Sequence, residues 1–163
     1  MVSQNAALFP HLSVLKNIRY SFFDRVRNPE ERKQNEADLK AILALCRVEH
    51  LTAKMPSQLS GGERQRVALA RSLAASSCTL LLLDEPFTGL DAALRDELIA
   101  DLRVWLARRS IPVLSVTHDI SEAFRLNAEV LRLHNGRITA QGPAAVVLAE
   151  ERNRLLAQLR GDH

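Results

Sequence analysis

Leu59-Ser60-Gly61-Gly62-Glu63-Arg64-Gln65-Arg66 is the stretch that decides how this chain is read. Ser60 and Glu63 stand three apart, the spacing of a capping box, in which each side chain accepts from the other's main-chain N–H and a helix begins between them. The pattern predicts a helix from about Gly61 into Ala75, with Val67, Leu69, Ala70, Leu73 and Ala74 on its apolar side. Gly61 and Gly62 leave the first helical amides bare, and unpaired N–H groups at the positive end of a helix dipole favour a phosphate. A capped helix with two turn glycines accounts for the same residues without a ligand, so the neighbouring segments must decide.

Downstream, Leu80-Leu81-Leu82-Leu83 leads into Asp84-Glu85-Pro86. The run from Thr79 to Leu83 is too short for a free helix, and its uniform apolarity suits a parallel strand covered on both faces. The carboxyl end of such a strand is where α/β sheets bind ligands. One acid there can orient water on Mg²⁺, and a second can position or deprotonate an attacking water. Thr88-Gly89-Leu90-Asp91 turns the chain, and Asp91 is suited to cap a long helix reaching Arg109. Ile111 to Val116 reads as a second buried strand, with Pro112 tolerable at its start. Asp119 to Leu126 reads as helix. Glu129–His134, Asn135-Gly136 and Arg137–Thr139 read as a tight hairpin, because Asn-Gly favours primed turns. Gly142-Pro143 is expected to open a last helix running toward Arg160. Strands alternating with helices give an α/β class with a parallel sheet.

Upstream, Pro10 interrupts regular structure and Ser13 is suited to cap a short helix through Tyr20. Asn28 is placed to cap a second helix, with Pro29 in its first turn and Glu30 and Glu31 at the positive end. Leu39, Ile42, Leu43 and Cys46 then form one buried stripe. The charges from Arg25 to Lys40 are mixed in sign, as on a solvated helix face. The 163 residues carry a net charge of +3, with 47% hydrophobic and 4% aromatic residues, which is ordinary globular composition with little material for stacking bases. No nucleic-acid partner is expected. Cys46 and Cys78 sit among apolar neighbours and read as buried free thiols. No signal-peptide pattern and no apolar run of roughly 20 residues is present, so any membrane contact is expected through a partner.

Taken together, the octet and the Leu-Leu-Leu-Leu-Asp-Glu run resemble the signature motif and Walker B strand of the ATP-binding cassette (ABC) transporter ATPases. The resemblance implies a partial P-loop NTPase, RecA-like, with a parallel sheet flanked by helices and an α-helical signature subdomain. It places the helical subdomain at about 13–75 and the core remnant at about 76–163. By likeness, Asp84 is the Walker B aspartate and Glu85 the general base. Ser60, Gly61, Gly62 and Glu63 form the signature, which in this family reaches across a dimer to the γ-phosphate held by the other subunit; Glu63 stands where Gln is commonest. Asp91 falls in the D-loop. His118, in Ser115-Val116-Thr117-His118-Asp119, matches the switch histidine. Gln4 to Val14 is similar to the Q-loop of import-type cassettes, in which the Gln touches Mg²⁺ and water and the following residues dock the membrane subunit. The implied ligands are ATP and Mg²⁺, the latter through Gln4 and Asp84. The implied partners are a second cassette subunit and a membrane permease, at the cytoplasmic face of the plasma membrane. Ala140-Gln141-Gly142-Pro143-Ala144 is most similar to molybdate importers, with sulfate, other oxyanion and polyamine importers close behind.

The chain departs from the family pattern in one respect. It contains no Gly-x-x-x-x-Gly-Lys-Ser/Thr loop and no Gly-Lys pair. Without a phosphate loop and its Lys, the 163 residues are expected to bind nucleotide poorly and to be inactive alone. A gene fragment or a misplaced start codon is the simplest history. The family's phosphate-loop strand lies inside the sheet, so its loss is expected to leave ladder bonds unmade and the chain marginally stable and aggregation-prone. Two alternatives compete. One is a non-catalytic module or decoy that offers the signature face to an intact cassette or binds a permease. The other, a soluble cassette of translation or DNA repair, is disfavoured by Leu8–Val14 and by the lack of a long coiled coil.

Overall fold

A computed structural model describes residues 7–20, 29–75 and 79–160 and falls into two compact units, Met1–Val116 and Thr117–His163. In the first unit the short helix α1 (Val14–Arg19) is capped by Ser13, whose hydroxyl accepts from the Lys16 amide at 3.4 Å. Asn17 is fully buried and organises the loop before α1. Its Oδ1 accepts from the Phe9 amide at 2.7 Å, and its Nδ2 donates to the carbonyls of Phe9, Leu12 and Ser13. A buried amide is tolerated only when bonded in this way.

Helix α2 (Pro29–Leu45) starts at the proline, as the missing N–H allows; the cap proposed at Asn28 lies outside the described residues. Leu39, Ile42, Leu43 and Cys46 are buried, as their spacing predicts. Helix α3 (Gly61–Leu73) starts at the Ser60 box and packs against α1 and α2. Buried Arg66 donates to the carbonyls of Cys46 and Arg47, which satisfies the end of α2. Helix α4 (Ala92–Arg109) buries Leu98, Ile99, Leu102, Trp105 and Leu106 and also packs on α2. Two ion pairs fasten that contact, Arg47–Asp101 at 2.8 Å and Arg109–Asp38 at 2.9 Å.

Strands β1 (Leu81–Asp84) and β2 (Val113–Val116) pair in parallel, Leu81 with Val113 and Asp84 with Val116. The expectation of cover on both faces is corrected here. Leu81 and Leu83 are buried, whereas Leu114 and Val116 are 53% and 58% exposed. Side chains alternate across a strand, and among the described residues only one face of this two-stranded sheet is packed.

The second unit holds helix α5 (Ile120–Leu126), strands β3 (Glu129–His134) and β4 (Arg137–Pro143), and helices α6 (Ala144–Val147) and α7 (Ala149–Arg160). The hairpin turns at Asn135 and Gly136, whose φ values of 48° and 73° are those of a primed turn. Two boundaries are corrected. Strand β4 runs past Thr139 to Pro143, through a bulge opposite Arg132 and Leu133. The last helix is two helices, with Pro143 as the N-cap of α6 and Leu148 as the break before α7. Arg132 reaches from β3 to the Val147 carbonyl and to Glu151, each at 2.6 Å.

Candidate functional site

The N-terminal turn of α3 and the Thr88–Asp91 turn face each other across an open cleft of about 690 Å³ in the first unit. The capping box is formed on both sides: the Ser60 amide donates to Glu63 Oε2 at 2.7 Å, and the Glu63 amide donates to Ser60 Oγ at 3.2 Å. The Ser60 N–H is the main reason the Glu63 carboxyl titrates below its ordinary value, with Ser60 Oγ and Lys54, 3.5 Å away, adding to it.

The two signature glycines do different work. A Cβ on Gly61 would meet nothing within 4 Å, so its amide end is open to a ligand. A Cβ on Gly62 would lie 3.0 Å from Leu90 Cδ2 and 3.1 Å from the Gly89 carbonyl oxygen. Gly62 is therefore what lets α3 lie against the turn. Gly89 itself has φ +78°, a conformation that favours glycine. Asp91 closes the turn as the N-cap of α4, accepting from the Leu94 amide at 2.9 Å.

Asp84 ends β1, and Glu85 follows with φ 48°, the left-handed region that is uncommon for a non-glycine residue. Three main-chain contacts hold it. The Glu85 amide donates to the Val116 carbonyl at 2.9 Å, and the Glu85 carbonyl accepts from the Thr88 amide at 3.3 Å and from Gln65 Nε2 at 3.0 Å. Thr88 Oγ1 also donates to Glu85 Oε2 at 3.3 Å.

Ser60, Gly61, Gly62, Glu63 and Asp91 thus share one cleft, and Glu85 is tied to it through Gln65 and Thr88. Gln65 lies inside the octet, but nothing in the pattern marks it as a site residue. The available signal was a polar residue on the helical face of Leu69 and Leu73, where a buried amide needs a partner. His118 lies in the second unit, exposed, beside a turn in which the Asp119 amide donates to Thr117 Oγ1 at 3.0 Å. Its place in the site rests on sequence alone. Gln4 lies outside the described residues.

The ABC transporter family pattern matches residues 1–88. The chain belongs to the ABC transporter family. Among curated relatives, this ABC transporter chain is 45% identical over 147 residues to the molybdenum import ATP-binding protein ModC of Albidiferax ferrireducens, a match covering 90% of the chain and 38% of the relative. It is 44% identical to the sulfate/thiosulfate import ATP-binding protein CysA of Nephroselmis olivacea, over 86% of the chain and 40% of the relative. The chain therefore spans about two fifths of the length of these curated relatives. Among solved structures, a dimeric ATP-binding cassette in a post-hydrolysis state bound to ADP and Pi superposes with a TM-score of 0.73 at 28% identity, covering 88% of the chain and 61% of the cassette. The cbiO1 protein of Clostridium perfringens, part of an ABC transporter complex, gives 0.75 at 29% identity over 98% of the chain and 62% of its own. The chain shares its α/β fold with both. No helix among the described residues is long and apolar enough to cross a membrane.

Proposed function

We propose that the chain is the ATP-binding and ATP-hydrolysing part of an ABC importer, cytoplasmic and held at the membrane by a permease partner. The observation that carries this reading is the joining of the open amide end of α3 at Gly61 to the acid end of β1 through the Gln65–Glu85 bond. In this reading Gly61 and Gly62 present amides, and Ser60 its hydroxyl, to the terminal phosphate of ATP held by a second cassette, while Glu63 keeps the helix start in place by accepting from the Ser60 amide. Asp84 and Gln4 would hold Mg²⁺, an ion bound largely by phosphates and water, for which one carboxylate at a strand end is an adequate donor. When bound, the ion offsets charge on the phosphate oxygens. Glu85 accepts a proton from the attacking water, His118 orients it at the γ-phosphate, and Asp91 faces the second subunit. Residues of about 13–75 would serve as the signature subdomain, and about 76–163 as part of the core. The solute is proposed to be molybdate or a related oxyanion. The ModC and CysA likenesses support that class, although polyamine and thiamine import proteins are also relatives at 42% and 37% identity.

No Gly-Lys pair occurs in the 163 residues, so the phosphate loop must be supplied from outside them. That fact also favours a second reading, a non-catalytic module acting on an intact cassette. Two reconstitutions decide. Supplying the phosphate-loop segment of a ModC relative should yield ATPase activity that Glu85→Gln removes. Mixing the chain with an intact cassette should change the cassette's turnover in a way that Gly61→Asp cancels, since an acid there repels phosphate. Activity only in the second experiment favours the module. Silence in both sinks the two readings together.

A further inference from the structure

We propose that Gln65 is a positioning residue for Glu85: its buried amide pins the left-handed peptide that aims the Glu85 carboxylate, and couples that aim to the helix forming the cleft. The catalytic consequence rests on the ATPase reading above; the mechanical part rests on geometry alone.

Gln65 is 4% exposed, deep in the packed side of α3. Burying an amide there costs free energy that an apolar side chain of the same size would not, unless the amide is bonded. Its Nε2 donates at 3.0 Å to the carbonyl of Glu85, the residue of the β1 terminus whose backbone is left-handed. The same carbonyl accepts from the Thr88 amide at 3.3 Å, and Thr88 Oγ1 returns to Glu85 Oε2 at 3.3 Å. Main chain and carboxylate of Glu85 therefore share one small network, and Gln65 links that network to α3. Gln65 lies four residues beyond Gly61 on one continuous helix, so a displacement of the α3 N-terminus by a ligand is carried to the Glu85 peptide within about one helical turn. Strained backbone persists where its surroundings over-determine it, and this bond is part of that over-determination.

The test is amide hydrogen exchange by NMR on the full 163-residue chain, with two variants. Gln65→Leu keeps volume and removes the donor. It should speed exchange of the Glu85 and Thr88 amides about fivefold, the effect of one hydrogen bond, and leave Leu102 and Trp105 in α4 unchanged. Gln65→Glu places an acceptor against a carbonyl when ionised, but a donor when protonated. It should loosen Glu85 and Thr88 at neutral pH and regain protection on acidification. Unchanged exchange at Glu85 and Thr88 overturns the proposal. So does loosening that includes α4 to the same degree, which marks a plain stability contact, and so does the absence of acid recovery. In the reconstitution with a phosphate-loop segment, Gln65→Leu should lower kcat about fivefold with KM for ATP unchanged. A kcat that stays at the parent value removes the catalytic coupling. If Glu85→Gln also keeps full turnover there, the ATPase reading has failed, and the exchange result for Gln65 still stands by itself.

Discussion

Glu63 carries a charge where the family's signature commonly has Gln, and that charge makes one helix start pH-sensitive. Its carboxyl is held below its ordinary value of 4.5, chiefly by the Ser60 amide and then by Ser60 Oγ and Lys54. A depressed acid contributes stability above its unfolded pKa and loses it as pH falls through the folded value. Glu63→Gln keeps an acceptor for the Ser60 amide but has no proton to gain. Urea midpoints of the parent and of Glu63→Gln, compared between about pH 7 and pH 3, should therefore converge as pH falls. A gap that is the same at every pH would show that the carboxylate charge contributes nothing. Cys46 is the opposite case. Burial pushes its thiol up to about 12, with Arg66 and Arg47 opposing only in part. It should resist a thiol-directed alkylating reagent in the native chain and react on denaturation, since the thiolate is the nucleophile. Labelling at the native-state rate of an exposed cysteine would contradict the packing around α2.

At the scale of elements, the junction between α3 and the Thr88–Asp91 turn has a tight steric requirement at Gly62. Gly62→Ala brings a methyl to 3.1 Å from a backbone carbonyl that has little freedom to retreat. Overpacking of this kind costs about 1–3 kcal/mol, so a lower thermal midpoint is expected. Gly61→Ala meets no neighbour. It should leave stability unchanged or raise it by up to about 1 kcal/mol, the helix-propensity gain of Ala over Gly. It should nonetheless weaken any anion at the α3 N-terminus, because a methyl there takes away the close approach that glycine allows. Thermal melts of the two variants side by side check this. Equal destabilisation would mean that the two glycines are not divided between packing and approach. The same logic explains the buried Arg66, whose two carbonyl partners close the end of α2 and would be orphaned by Arg66→Ala.

For the whole molecule, exposed apolar residues on regular elements bear on how the isolated chain behaves. Leu114 and Val116 lie on the open face of the β1–β2 sheet, and Leu133 and Ile138 on the hairpin of the second unit are also largely exposed. Strands with uncovered apolar faces and open edges invite pairing with other chains. The 163-residue chain should melt below about 45 °C, the lower limit for ordinary domains, and aggregate on heating. Replacing both Leu114 and Val116 by Thr should reduce light scattering without moving the melt upward by much. A cooperative transition well above that limit, free of aggregation, would show that these faces need no cover.

The sequence by itself determined the local events, because each is written in a short pattern. The Ser60–Glu63 box, the Asp91 and Ser13 caps, the stripe at Leu39, Ile42 and Leu43, and the Asn135-Gly136 turn each depend on residues no more than four apart. The octet with the Leu-Leu-Leu-Leu-Asp-Glu run likewise carried the family. What only the tertiary structure decided involves residues distant in sequence. It revealed that Gln65, 20 residues from Glu85, bonds its carbonyl. It showed that a side chain at Gly62 would run into Gly89 and Leu90, and that Leu114 and Val116 face outward although their run reads as buried. Side-chain pattern states which residues favour an apolar environment. Only the folded chain states which neighbours are there to provide it, because burial and a buried amide's partner are properties of the packing around a residue.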